Sequence, residues 1–191
     1  MPQLIIGLGN PGGEYAATRH NLGWRCLDDL AQRGRFARER REGQSRIREG
    51  MLDGFDAVLA TPRTYMNLSG RAALQLTRRY GVPVADVIVT YDEIDLPLGR
   101  LRLRRGGGAG GHNGVRSLID SWQSPDFIRV RMGIGRPPDG VDPADYVLRG
   151  FSPDEGEHVE VMVRRAADAV IAIVREGLAA AMNLYNRKPD A

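Results

Sequence analysis

Three residue types are scarce in this 191-residue chain: one cysteine (Cys26), one lysine (Lys188) and three histidines (His20, His112 and His158). A single cysteine excludes an internal disulfide and a cysteine-based zinc site, and it fits a reducing compartment. Long apolar runs are also missing. The opening "MPQLIIGLGNPG" has a three-residue apolar run and no basic flank, and the longest run elsewhere is "AVIAIV" at 169–174. Neither a secretory leader nor a membrane span is expected, so the reading is a soluble, cytoplasmic protein. With 42% hydrophobic residues, the chain is expected to form one domain over 1–191 and to bury about 70% of its unfolded surface. Residues 185–191 are expected to be a loose tail.

What is abundant is arginine, and its placement says more than the net charge of +3. Residues 19–50 carry nine Arg against five acids, and residues 100–136 carry eight against two. Residues 139–191 reverse the sign, with ten acids against six bases. Genome composition explains the choice of Arg over Lys as readily as function does. A basic body with an acidic end region nevertheless suits a polyanion held on one face.

Apolar periodicity lays out the elements. "QLIIGL" (3–8) reads as a buried strand ending in "GNPGG", and "HNLGWRCLDDLAQRG" as a helix to Arg33 stopped by Gly34. "SRIREGML" and "FDAVLAT" flank Asp53-Gly54, a hairpin signal. A helix capped by Asn67 or Ser69 runs to Gly81, and "DVIVTY" (86–91) is a second apolar strand. The link 92–99 is too short for a crossover helix, so strand 100–105 is expected to run antiparallel and end at the far edge. "GGGAGG" then serves as the return path to a helix with Val115, Leu118, Ile119 and Trp122 on one stripe. "FIRVRMGIG" alternates, with Arg129 and Arg131 on the face opposite Ile128, Val130, Met132 and Ile134. "SPDE" at 152 is a capping box opening a long amphipathic helix. Strands alternating with helices predict an α/β fold around a mixed sheet.

Asn10, Asn67 and Asp92 each follow a strand, and ligands of α/β sheets bind beyond the carboxyl ends of strands. Asn113 reaches the same edge by way of the glycines. Each has a plainer reading: Asn67 and Asn113 as helix N-caps, Asn10-Pro11-Gly12 as a turn, and Asp92 with Glu93 and Asp95 as a solvated turn or a weak divalent-metal site. Among the histidines, His158 reads as a surface residue and His112 sits in a flexible glycine run. His20 lies at the mouth of the first helix, near the edge that carries Asp92, and is placed to act as a base near neutral pH. Nucleophiles are poor: Cys26 reads as core, and Ser69 has no "GxSxG" elbow. Water is then the target of His20, which suits hydrolysis of an activated bond such as an ester. "GLGNPG" formally matches a dinucleotide fingerprint, but Pro11, Gly12 and Gly13 interrupt the helix that should follow, and no acid ends the next strand. "GGGAGGHNG" lacks the Lys-Ser/Thr of a P-loop.

"GLGNPGxxYxxTRHNxG", "PxTYMNxSG", "DExDLPxG" and "GGGxGGHNG", in this order and spacing, resemble the bacterial-type peptidyl-tRNA hydrolases to about Asn186. The resemblance implies a monomer with a mixed β-sheet surrounded by helices that needs no cofactor and no metal. It implies cleavage of the ester joining a peptide to the 3′ ribose of tRNA, without a membrane or an obligatory protein partner. His20 is implied as the base that activates water, Asp92 as its carboxylate, and Asn10 as the group that tells N-blocked from free aminoacyl ends. Asn67 and Asn113 are implied to hold the peptide and 3′ end, with Tyr15 and Tyr65 near the terminal nucleotides and His112 mainly structural. Arg104, like Arg63, stands where relatives often carry Lys, and is expected to meet the tRNA phosphate backbone. A non-catalytic RNA-binding protein on the same fold is the alternative.

Overall fold

The structure is a computed structural model that describes residues 1–187. It builds one sheet from strands β1 (Gln3–Gly7), β2 (Arg35–Phe36), β3 (Arg40–Glu42), β4 (Ser45–Leu52), β5 (Phe55–Pro62), β6 (Ile88–Glu93), β7 (Leu101–Arg105) and β8 (Ile128–Gly133). Their order is β2-β4-β5-β1-β6-β8-β7, with β3 pairing to β4. The central β5, β1, β6 and β8 are parallel, while β4 and β7 flank them antiparallel. The mixed α/β sheet expected from the sequence is therefore present, and β7 takes the antiparallel edge position.

Helices cover both faces. α1 (Leu22–Arg33), α5 (Pro153–Glu176) and α6 (Leu178–Tyr185) pack on one, and α2 (Ser69–Tyr80) and α3 (Asn113–Trp122) on the other. A strand buried on both faces needs apolar residues at every position. β1 meets this: Ile5 joins the core under α1 and α5, while Leu4 and Ile6 join the core under α2 and α3. Where β1 crosses α1, a Cβ on Gly7 would lie 2.5 Å from the Gly23 carbonyl oxygen, and one on Gly23 would lie 2.5 Å from the Leu8 nitrogen. Gly7 and Gly9 of "GLGNPG" thus serve close packing, and α1 begins only at Leu22, too late for a dinucleotide turn.

Local signals explain the connections. Asp53 and Gly54 both take positive φ, at 51° and 86°, as a two-residue hairpin turn requires. Ser152 and Glu155 form the expected capping box of α5. β7 ends opposite Ile128, at the start of β8, so the chain must climb back before α3 can begin. Residues 106–111 make that climb, strapped by the Arg129 guanidinium, which donates to the Gly107, Gly108 and Pro125 carbonyls. Arg129 is buried and stacks on Phe127 at 4.3 Å. Its side of β8 is therefore interior, although the sequence pattern puts a charge there.

Several expectations shift. β6 extends through Asp92 and Glu93, so Asp92 lies within the strand's last two residues rather than following it. A short α4 (Pro143–Val147) interrupts the loop between β8 and α5. α6 follows Gly177 without any signal singled out in the sequence. Within the expected tail, Tyr185 ends α6 and Asn186 exchanges two hydrogen bonds with the backbone of Leu103 at 2.7 and 3.0 Å, while residues 188–191 lie outside the described residues. No described helix is long and apolar enough to cross a membrane.

Candidate active site

The carboxyl ends of β1 and β6 place the central groups. Asp92, at the end of β6, is 1% exposed and carries two imidazoles. His20 Nδ1 lies 2.9 Å from both of its oxygens, and His112 Nε2 lies 3.0 Å from Oδ1. The two rings are 4.8 Å apart between centroids. His112 also caps α3, its Nδ1 accepting from the amides of Gly114 and Val115 at 3.1 and 3.3 Å. An Nδ1 that accepts two N–H groups bears no proton, so Nε2 bears it and donates to Asp92. His112 is thereby fixed as a neutral donor. His20 Nδ1 meets the same carboxylate, so in the neutral imidazole the proton sits on Nδ1 and Nε2 carries the lone pair.

Burial would push the Asp92 carboxyl up, but the two imidazoles outweigh it and hold the group well below the usual carboxylate range. Asp92 is therefore an anion throughout the neutral range. The three side chains offer ligand atoms within 4.8 Å of one another. A metal at His112 Nε2 would have to displace the proton that the cap requires there, so the donor set is already committed to its own hydrogen bonds.

Asn10 is fixed from both sides. Its amide nitrogen donates to Asn21 Oδ1 at 2.9 Å, and Asn21 Nδ2 donates back to the Asn10 carbonyl at 3.0 Å. Its side-chain Oδ1 accepts from Met66 N–H at 2.8 Å. That bond orients the amide, and no hydrogen bond among the described residues uses Nδ2. Because Asn21 follows His20 directly, the imidazole and the Asn10 amide are positioned as one unit.

The cleft above His20 and Asp92 measures about 260 Å³ and is bounded by these two, Glu93, residues 110–113 and α4, while Asn10 is not among its lining residues. Its acids are matched: Glu93 pairs with Arg131 at 2.9 Å, and Asp142 caps α4 through the Ala144 amide at 2.7 Å. The wall is tied to the segment that carries His20 through Arg19. The Arg19 guanidinium grips Glu155 bidentately at 2.9 and 3.1 Å and lies 4.5 Å from the ring centres of both Tyr146 and Phe151.

Other expected residues fall into two groups. Asn113 is the exposed first residue of α3 and lines the cleft, its capping role taken by His112. Asn67 is exposed in a one-turn 3-10 helix, and neither it nor Ser69 caps α2, whose N-cap Leu68 has no side-chain bond. Ser69 Oγ donates instead to the Met66 carbonyl at 2.8 Å. Tyr65 is 60% exposed beside Asn67, and Tyr15 is half-buried in the loop that leads to His20. Arg104 is not brought to the cleft. It sits on β7 opposite Arg129, level with Val89, about 10 Å below Asp92 and two strands away. Cys26 is fully buried and burial pushes its thiol up, as a core residue requires, and His158 is exposed. Sequence reasoning missed Asn21, the second contact on Asp92 from His112, and the Arg19 clamp. The repeated His-Asn pairs were the available signal for the first two.

A family model described as peptidyl-tRNA hydrolase matches residues 4–191. The peptidyl-tRNA hydrolase of Nocardia farcinica is 50% identical over 184 residues, covering 95% of each chain. That of Roseiflexus is 49% identical, covering 97% of this chain and 86% of the relative. The crystal structure of the Acinetobacter baumannii peptidyl-tRNA hydrolase superposes with a TM-score of 0.92 at 33% identity, over 100% of this chain and 97% of that one. The chain belongs to the peptidyl-tRNA hydrolase family.

Proposed function

We propose that this protein hydrolyses the ester between the peptide of peptidyl-tRNA and the tRNA 3′ ribose, with His20 as general base. Family membership supports the reaction, and one observation supports the base: His20 lines the cleft with its Nδ1 2.9 Å from a buried carboxylate, which leaves Nε2 to take a proton. Water bound at Nε2 loses its proton as it attacks the ester carbon. The imidazolium that forms is stabilised by Asp92, and the proton then passes to the departing ribose oxygen. A positioned base of this kind contributes about 10² to 10⁴-fold.

Asn10 supplies selectivity in this reading. With Oδ1 occupied by Met66 N–H, it presents only the Nδ2 donor. An N-blocked residue offers a carbonyl oxygen to such a donor, whereas a free aminoacyl end carries an ammonium group that is itself only a donor. Asn67 and Asn113, released from capping, are free to hold the peptide and the 3′ end. Tyr15 and Tyr65 are placed to meet the terminal nucleotides, and Arg104 to meet more distant phosphates.

The test is release of N-acetyl-aminoacyl groups from tRNA, with unblocked aminoacyl-tRNA as control. Rapid release from the blocked substrate and sparing of the free one is expected. Binding of both tRNAs without cleavage of either would overturn the reading in favour of a non-catalytic RNA-binding protein.

A further inference from the structure

We propose a phosphodiester subsite at the open ends of β3, β4 and β5, separate from both the cleft and Arg104. It rests on the reading above that the substrate is an RNA ester. A second cleft of about 340 Å³ opens there, and its walls include Arg41, Ser45, Arg46, Arg63 and Thr64. Ser45 pairs with Pro62, and β5 runs parallel to β1, so this cleft lies on the same sheet edge as Asn10. At about 4.8 Å per strand, β4 stands roughly 14 Å from the strand that carries Asp92. A nucleic-acid strand whose end lies in the cleft at His20 can pass this point a few nucleotides back.

Charge and polarity suit a phosphate. Among the described residues, no carboxylate lies within salt-bridge distance of Arg41 or Arg63, while Arg46 pairs with Glu39 at 2.8 Å. Arg63 is not loose: its guanidinium lies 4.7 Å from the Trp24 ring centre, which holds the fork in place beside the cleft. Ser45 is 1% exposed, and among the described residues neither its hydroxyl nor the enclosed Thr64 hydroxyl has a hydrogen-bond partner. Arg41 and Arg63, with no carboxylate partner among the described residues, line one cleft, and guanidinium groups are matched by an anion rich in acceptor oxygens. The chain from Arg63 leads in four residues to Asn67, so a phosphate held here would set the register of the same loop that faces the substrate.

The experiment measures deacylated tRNA binding from 50 to 200 mM salt for wild type, for Arg41→Gln/Arg63→Gln and for Arg41→Glu. Each phosphate lost should reduce the slope of log K against log [salt] by about 0.7 to 0.9, and KM for N-acetyl-aminoacyl-tRNA should rise. The double variant should hydrolyse an N-acetyl-aminoacyl adenosine, which lacks the phosphate chain, at the wild-type rate. An unchanged tRNA slope and affinity in both variants would overturn the subsite. So would competition at this cleft by an acidic peptide but not by RNA. Wild-type protein that binds tRNA but cleaves neither substrate would instead defeat the hydrolase reading, and the slopes would still decide the subsite.

Discussion

Replacing Asp92 by Asn should disable His20 through its tautomer, and the second histidine explains why. The carboxylate accepts from two N–H donors, His20 Nδ1 at 2.9 Å and His112 Nε2 at 3.0 Å. An asparagine offers one carbonyl and one NH2. His112 cannot turn its Nε2 into an acceptor, because Nδ1 must remain unprotonated to cap α3. It therefore takes the carbonyl, and His20 faces the NH2. To accept from it, His20 must carry its proton on Nε2, which removes the lone pair from that nitrogen. The expected loss in kcat is that of a general base, about 10² to 10⁴-fold, or about 2.7 to 5.4 kcal/mol. The same tautomer constraint predicts a rescue. In Asp92→Asn/His112→Asn the shorter side chain introduced at position 112 can still cap α3 but does not reach position 92. The amide carbonyl introduced at position 92 then turns to His20, and activity should rise above that of the single variant. Single-turnover release of N-acetyl-aminoacyl groups measures both. Near-wild-type activity in Asp92→Asn, or a double variant no better than the single, would refute the reasoning.

Three further outcomes follow from the same geometry. Asn10→Ala should narrow the ratio of blocked to free aminoacyl-tRNA hydrolysis, measured as two kcat/KM values, because the oriented Nδ2 donor is lost. Arg19→Ala should cost about 3 kcal/mol, at the low end for a buried pair because Glu155 is 24% exposed; that corresponds to a fall of about 6 to 12 °C in Tm. Arg19→Lys should recover little of it, since Lys has neither the bidentate fork nor the planar face. Acid stability provides the third. The Asp92 pKa is lowered in the folded state, so its contribution is present above the unfolded value of about 3.9 and is lost as pH falls below it. The Tm gap between wild type and Asp92→Asn should therefore be wide at pH 7 and shrink near pH 3, and a constant gap would contradict this.

What the sequence could reveal depended on how local the cause was. β1 was legible as an unbroken apolar run, the 45–62 hairpin by Asp53-Gly54, and α5 by its capping box, because each signal lies within the element it specifies. The glycine climb from β7 to α3 was legible from chain length and strand direction. The α3 cap was not: Asn113 has the usual chemistry, but His112 takes the role because Asp92, 20 residues earlier, holds its other nitrogen. Arg129 was misleading for a related reason. Its charge is satisfied by the carbonyls of the glycine loop, a partner set visible only once the loop is folded over β8. Position put His20 and Asp92 near one sheet edge and the family resemblance paired them, but their contact spans 72 residues and is a product of the fold.

The most direct measurement is single-turnover hydrolysis of N-acetyl-aminoacyl-tRNA by wild type and His20→Ala, with tRNA affinity measured on the same samples. If His20 is the base, the rate falls by at least about 10²-fold while tRNA affinity is retained. A His20→Ala protein that binds tRNA and releases the acyl group at the wild-type rate would contradict the account.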